Sequence, residues 1–245
     1  HQLRTNFVAV HQDVYVPRGT RPTAIMRARA AWLRSKRTGV LAGFSAAALH
    51  GARYIDASLP ANIIHNNRRP ERGIVVWADA LDPDEIGVIG EMRLTTPLRT
   101  SVDLARKYRE DVAVAAVDAL ARAARLTVAD IGEAAERHPG QRGLKRARTT
   151  IALVDPGAES PAESRLRLLI VKAGFPRPVT QHPIDNEYGV LIGEVDLAWP
   201  DLEVAVEYEG RHHMDPDQIR KDIARIEEMI EMGWLVIRVT SRDPS

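Results

Sequence analysis

The stretch LIGEVDLAWPDLEVAVEYEGRHH, residues 191–213, sets Glu194, Asp196, Glu207 and Glu209 among valine, leucine, isoleucine and alanine that read as buried strand. Strands disfavour acidic side chains, and burial penalises them further. Clustered carboxylates repel one another unless a cation lies among them. Oxygen-only ligands at the end of a strand pair suit Mg²⁺ or Mn²⁺, which keep water and contact substrate phosphates. Such a cation acidifies water and stabilises the leaving oxygen of a phosphodiester. Metal-dependent phosphodiester hydrolysis is therefore the chemistry these residue types suggest.

Side chains two apart on a strand share a face, so Glu207 and Glu209 lie on one side and Val206 and Tyr208 on the other. Glu194 and Asp196 are paired in the same way on the preceding strand. Only a few residues around Pro200 and Asp201 separate the two strands, so a hairpin is expected to bring Asp196 beside Glu207. The contexts VDLAW and AVE put these two acids at a buried edge, whereas Glu194 and Glu203 read as outward-facing. Gly210 permits a sharp exit from the strand. His212 and His213 follow at once; they either move protons or touch the metal, or are solvated loop residues. Upstream, Ser160, Pro161 and Glu163 fit a capping box. The same Glu163 carboxylate can also face the strand acids and help hold a metal through water.

Positioning these groups takes a particular run of elements. A helix over 161–173 ends at Gly174, and strands follow near 178–184, 190–199 and 203–208. A long helix over about 216–232 stops at Gly233, and a last strand covers 234–239, giving the order αβββαβ. The preceding segment DPGAESPAES, 155–164, carries two prolines and a glycine and marks a domain boundary. Domains are accordingly expected at 1–155 and 156–245. In the first, residues 7–18 suggest a hairpin, Pro22 opens a helical pattern to about Arg37, and Ser45 is placed to cap a short Ala-rich helix stopped by Gly51. NIIH and GIVVWAD read as strands, LTTPLRTSVDLARKY as a capped helix, and helical stretches lie near 110–125, 127–137 and 143–153. This is an α+β module ending in helices, in which SAAALHG and PLRTSVDLA read as core.

Composition narrows the function further. The 245 residues contain no cysteine, which excludes disulfides, thiolate nucleophiles and zinc-thiolate sites and suits a reducing, cytoplasmic setting. No apolar run approaches the roughly 20 residues of a membrane span, and no signal peptide is legible, so no membrane partner is expected. The formal net charge is +1, yet residues 1–72 hold 12 Lys or Arg against three acids (Asp13, Asp56 and Glu71), a local excess of nine positive charges; the remainder carries eight net negative. A basic N-terminal part is what a phosphate-contacting protein shows.

The motifs EVDLAWP, VAVEYEGRHH, RKDIARIEEM and GWLVIRVT, in this order over about residues 159–243, resemble the very-short-patch-repair (Vsr)-like endonucleases of the PD-(D/E)XK superfamily. The resemblance implies an α/β PD-(D/E)XK-type core with Asp196 and Glu207 as metal ligands and Glu163 as an accessory one. One departure stands out: the superfamily pattern has Lys two residues after the acid, and this sequence has Glu209. A carboxylate there can serve as ligand or base but cannot supply positive charge. Arg211, Arg220 and Lys221 are cations that could substitute or meet DNA, or they form a solvated helix face paired with Asp217 or Asp222. Gln181 either aims at the site or faces solvent. Over about residues 3–125, DVYVPRG, SAAALHG and LTTPLRTSVDLAR resemble AbiE-type antitoxins, which implies a partial winged helix, its wing FVAVHQDVYVPRG, with a recognition helix expected before His1.

Two expectations follow. The first is a Mg²⁺- or Mn²⁺-dependent DNA endonuclease of DNA repair or phage defence, a monomer nicking and a homodimer cutting both strands. The second is a DNA-binding regulator or antitoxin with a toxin partner, its nuclease-like domain inactive.

Overall fold

The computed structural model describes residues 5–67, 69, 71–210 and 216–240, with only the backbone at 216–219. Arg211, His212 and His213 lie outside the described residues. The chain is an α+β protein with eight helices and mixed sheets among the described residues, and it divides into two compact units, His1–Pro156 and Gly157–Ser245. Among the described residues no helix is long and apolar enough to cross a membrane.

The N-terminal unit begins with the antiparallel pair β1 (Phe7–His11) and β2 (Val14–Pro17), followed by helix α1 (Ala24–Arg34). That helix starts two residues after Pro22, where the Thr23 hydroxyl accepts the Met26 N–H at 3.2 Å. Strands β3 (Val40–Leu41), β4 (Ala61–Ile64), β5 (Ile74–Trp77), β6 (Ile86–Ile89) and β7 (Met92–Thr95) form a five-stranded mixed sheet in the order β5-β4-β3-β7-β6. The β6–β7 hairpin was not legible in advance, because IGVIGEMRLT contains two glycines and little alternation.

The short helix α2 (Gly43–Leu49) corrects the expected role of Ser45. Its N-cap position is Ala42, and Ser45 instead accepts the Asn62 N–H from β4 at 2.9 Å. A buried first-turn donor is met from outside the helix: Asn62 Oδ1 accepts the Phe44 N–H at 3.0 Å and the Tyr108 hydroxyl at 3.0 Å. Gly43 makes this approach possible, since its φ is +48° and a Cβ there would meet the Trp77 ring at 2.6 Å and Asn62 Oδ1 at 2.7 Å.

Helices α3 (Pro97–Lys107), α4 (Glu110–Ala124), α5 (Val128–Glu136) and α6 (Leu144–Ile151) enclose an aliphatic core around Val102, Leu104, Val117, Leu120 and Ile131. The expected core segment PLRTSVDLA is buried, but by charge as well as by apolar surface. Arg99, Asp103 and Arg106 are all at most 3 % exposed. Arg99 pairs with Glu85, and with Asp103 at 3.1 Å; Arg106 pairs with Asp79, and with Asp103 at 2.8 Å; Lys107 reaches Asp79 at 2.8 Å.

The C-terminal unit runs α7 (Pro161–Lys172), β8 (Val179–Asp185), β9 (Leu191–Trp199), a 3₁₀ turn at Pro200–Leu202, β10 (Val204–Glu209), α8 (Pro216–Glu231) and β11 (Leu235–Thr240). Its sheet order is β11-β10-β9-β8: β8, β9 and β10 are antiparallel neighbours, and β11 is parallel to β10, as the intervening helix requires. Met229 of α8, fully buried, packs with Val195, Ala198 and Ala205.

Candidate functional site

The acids of the C-terminal unit lie where its sheet stops pairing. The β9–β10 ladder matches Trp199 with Val204, Ala198 with Ala205 and Leu197 with Val206, then ends, although β10 runs three residues further. Continuing that register by one residue sets Asp196 beside Glu207. There the Asp196 carboxylate replaces a strand carbonyl: its Oδ2 accepts the Tyr208 N–H at 2.7 Å. The β8–β9 ladder skips the same row, pairing Thr180 with Leu197 and His182 with Val195 while leaving Gln181 out. Gln181 has a φ of +49°, in the left-handed region that a mid-strand glutamine rarely adopts.

This backbone defect turns Gln181 toward α7, where its Nε2 donates to Glu163 Oε2 at 3.3 Å. The Ser160 hydroxyl accepts the Glu163 N–H at 3.2 Å, as a cap should. The expected reciprocal bond is displaced by one residue, because Glu163 Oε2 accepts the Glu159 N–H at 2.8 Å. The carboxylate is thereby held at the helix start, 8 % exposed. Burial pushes the Glu163 carboxyl above its ordinary range, and the nearby Asp196 and Glu159 charges add to the rise against the hydrogen bonds from Glu159 and Ser160. Asp196 is raised likewise, by burial first and by the Glu207 and Glu159 charges, with the Tyr208 N–H and the Gln181 amide opposing. No cation figures among the main influences on either group.

Glu207 and Glu209 are treated differently. Arg225 of α8 donates from Nη2 to Glu207 Oε1 at 2.8 Å and from Nη1 to the Glu194 carbonyl at 3.2 Å. Gly193 gives it room, since a Cβ there would meet Arg225 Cδ at 2.8 Å. Glu209 pairs with Arg238 of β11. The structure thus gathers Glu163, Gln181, Asp196 and Glu207, and leaves Glu194 and Glu203 exposed. Arg220 and Lys221 are exposed on α8, and Arg225 of the same helix reaches Glu207. Sequence reasoning missed Arg225, Arg238 and Glu159. Laying VAVEYE beside LVIRVT in parallel sets Glu207 opposite Arg238, so that cation was available from the strand register. Glu159 precedes the helix and gave no periodic signal.

A second acidic group lies in the N-terminal unit. One ligand atom each from Asp82, Glu85 and His138 falls within 4.8 Å of the others, which among the described residues no other triad achieves, the strand acids being set wider. Its donors are already engaged: His138 Nε2 lies 2.8 Å from Glu85 Oε1, Arg99 pairs with Glu85, and Arg137 lies 2.8 Å from Asp84 and 3.8 Å from Asp82. A divalent ion would have to displace cations there. Asp196 and Glu163, oxygen donors with no ion pair among the described residues, fit a hard divalent ion better.

Comparison with known proteins gives relatives but no activity. Two uncharacterized proteins of Mycobacterium tuberculosis, one from each of two strains, are 35 % identical over 150 residues, 61 % of this chain and 55 % of theirs. The chain therefore spans just over half the length of these relatives. No family profile and no solved structure matches it.

Proposed function

We propose that the C-terminal unit is a PD-(D/E)XK-type core of the Vsr-like kind and that the protein is a metal-dependent endonuclease hydrolysing phosphodiester bonds in DNA. The observation that carries this reading is the row Gln181–Asp196–Glu207: both ladders open there, and Asp196 stands with a raised pKa between Glu163 and Glu207. Structural acids are compensated, and an uncompensated, desolvated one in a backbone defect marks a functional site. The element order αβββαβ, with β11 parallel to β10, also supports the reading.

Asp196 and Glu207 would hold Mg²⁺ or Mn²⁺, with Glu163 accessory. When bound, the ion supplies charge that stabilises the leaving oxygen. Gln181 fixes the Glu163 carboxylate, and the Tyr208 N–H fixes Asp196. Arg225 and Arg238 bring positive charge to the strand where the superfamily lysine is replaced by Glu209. The basic N-terminal unit, with β1–β2 as the wing of a partial winged helix, would contact DNA phosphates.

The pairing of Glu207 and Glu209 with arginines also favours a second reading, a DNA-binding regulator or antitoxin whose nuclease core is silent and which engages a toxin partner. Plasmid and oligonucleotide cleavage with Mg²⁺, Mn²⁺ or EDTA decides between them. The endonuclease nicks or cuts, and EDTA, Asp196→Ala and Glu207→Ala each abolish cleavage. DNA binding without cleavage at any metal concentration overturns it in favour of the regulator.

A further inference from the structure

The N-terminal unit carries a cleft of about 1040 Å³ between the β1–β2 pair, α1 and the β4–β5 edge. Five cations line it, Arg27, Arg34, Lys36, Arg69 and Arg72, against one carboxylate, Glu71. Glu71 is spent internally: Arg34 Nε lies 2.7 Å from Oε2, and the Gln12 N–H donates to Oε1 at 3.3 Å. Arg27, Lys36, Arg69 and Arg72 form no ion pair among the described residues. A cleft so charged repels itself and is stabilised by an anion.

A second observation points the same way. His11 lines the cleft at 5 % exposure, yet among the described residues neither ring nitrogen makes a well-aligned hydrogen bond: the Arg72 backbone gives only a minor contact, and Glu71 Oε1 lies 3.8 Å away. The Nε of Arg27 is likewise buried without a partner. Buried polar atoms are normally satisfied, so unmet donors in the lining of a cleft favour a ligand acceptor there. His65, by contrast, is satisfied within the protein: Nδ1 accepts the Asn67 N–H at 3.0 Å, and Nε2 donates to the Thr38 hydroxyl at 2.9 Å, which in turn donates to the Ser35 carbonyl at 2.7 Å. Lys36 sits at a φ of +56°, a strained position at the cleft rim. The floor is apolar, with Ile63, Ile74 and Val76.

We infer that this cleft binds a nucleotide unit, with phosphate on the Arg27, Lys36, Arg69 and Arg72 cations and the ring on the apolar floor. Arginine forks match phosphate oxygens, and a cleft of this size encloses a ligand of nucleotide dimensions. The unit comes either from a free nucleotide or from a nucleic-acid strand. The site belongs to the N-terminal unit alone and stands whether or not the C-terminal acids are catalytic.

The test uses the full chain in EDTA, so that no divalent ion acts at Asp196, with ADP and a fluorescein-labelled oligonucleotide as probes. Lys36→Glu/Arg72→Glu reverses two exposed cations without touching the core; Arg93→Glu makes a charge change on β7 outside the cleft. The cleft variant is expected to weaken binding at least tenfold and to lower the salt slope of oligonucleotide binding by about two, roughly one per lost phosphate contact. Arg93→Glu should bind as wild type, and His11→Phe, which keeps the ring but not its nitrogens, should weaken binding about fivefold. Cleft-dependent binding of ADP identifies a free nucleotide; cleft-dependent binding of the oligonucleotide alone identifies a strand. Binding of neither probe, or equal weakening by Arg93→Glu and the cleft variant, overturns the assignment.

Discussion

Two acid-rich regions of this chain have opposite charge balance. In the N-terminal unit, Asp79, Glu85 and Asp103 are met by Arg99, Arg106, Lys107 and His138. Burial would raise Asp79 and Glu85, but hydrogen bonds outweigh it and both end below the ordinary carboxylate range: from Lys107 and Arg106 for Asp79, from the Asp82 N–H and His138 for Glu85. Only the fully buried Asp103 is pushed up, by burial, against the pull of both arginines. In the C-terminal unit, Glu163 and Asp196 are both raised, with other acids as their charged neighbours. Proximity of donors therefore does not by itself mark a metal site. The tighter triad, Asp82, Glu85 and His138, is the compensated one.

The largest effect should come from breaking that compensation. Arg106→Met leaves Asp79 and Asp103 buried without one of their cations and is expected to cost about 3–5 kcal/mol, read as a lower urea midpoint. Asp196→Asn keeps an oxygen for the Tyr208 N–H while removing a repelled charge, so it should leave the midpoint unchanged or higher. Comparable losses in the two variants would make the strand acids structural and erase the contrast.

Divalent ion binding sharpens the contrast at the next level. Mn²⁺ at a hundredfold its dissociation constant should stabilise the chain by about 2.7 kcal/mol, seen as a rise in melting temperature. Asp196→Ala should abolish that rise, and His138→Ala should preserve it. The reverse result would move the metal centre to the N-terminal unit.

Acid titration separates the regions by sign. A carboxylate raised in the folded state favours folding when protonated, so the contribution of Glu163 and Asp196 is most favourable in acid and declines as pH rises from about 4 through their folded values. Asp79 and Glu85 act oppositely: their contribution is present above about 4 and is lost as pH falls through their lowered values. The Glu163→Gln/Asp196→Asn variant should therefore gain stability over wild type progressively from pH 4 to pH 7 in melting experiments. A constant difference across that range would mean that the two acids ionise as freely folded as unfolded.

How much of this was legible depended on the range of the interaction. Glu163, Asp196 and Glu207 could be picked out because strand alternation and helix capping are local patterns. The β9–β10 hairpin was visible for the same reason, with only the Pro200–Leu202 turn between its strands. Ser45 misled because a serine ahead of an alanine-rich run fits a cap, whereas the donor it meets belongs to Asn62, 17 residues away. PLRTSVDLA read as core from its apolar spacing, but nothing in PLRTSVDLARK tells that Glu85 and Asp79 will be brought against Arg99 and Arg106 from outside the helix. The His11 cleft was foreshadowed only as a regional excess of positive charge, because its walls come from segments about 60 residues apart.

The finest distinction concerns Gln181, whose left-handed backbone costs about 1–2 kcal/mol relative to glycine. Gln181→Gly relieves that strain but adds unfolded-state entropy of about 0.5–1 kcal/mol and loses the bond to Glu163, so melting should shift by less than about 1 kcal/mol in either direction. Gln181→Asn tolerates the same backbone, yet is one methylene shorter and falls away from Glu163. If the defect exists to aim this side chain, both variants weaken the Mn²⁺-induced rise in melting temperature while wild-type stability is nearly retained. If the rise survives in both, the left-handed residue serves only to open the ladder, and Asp196 alone defines the site.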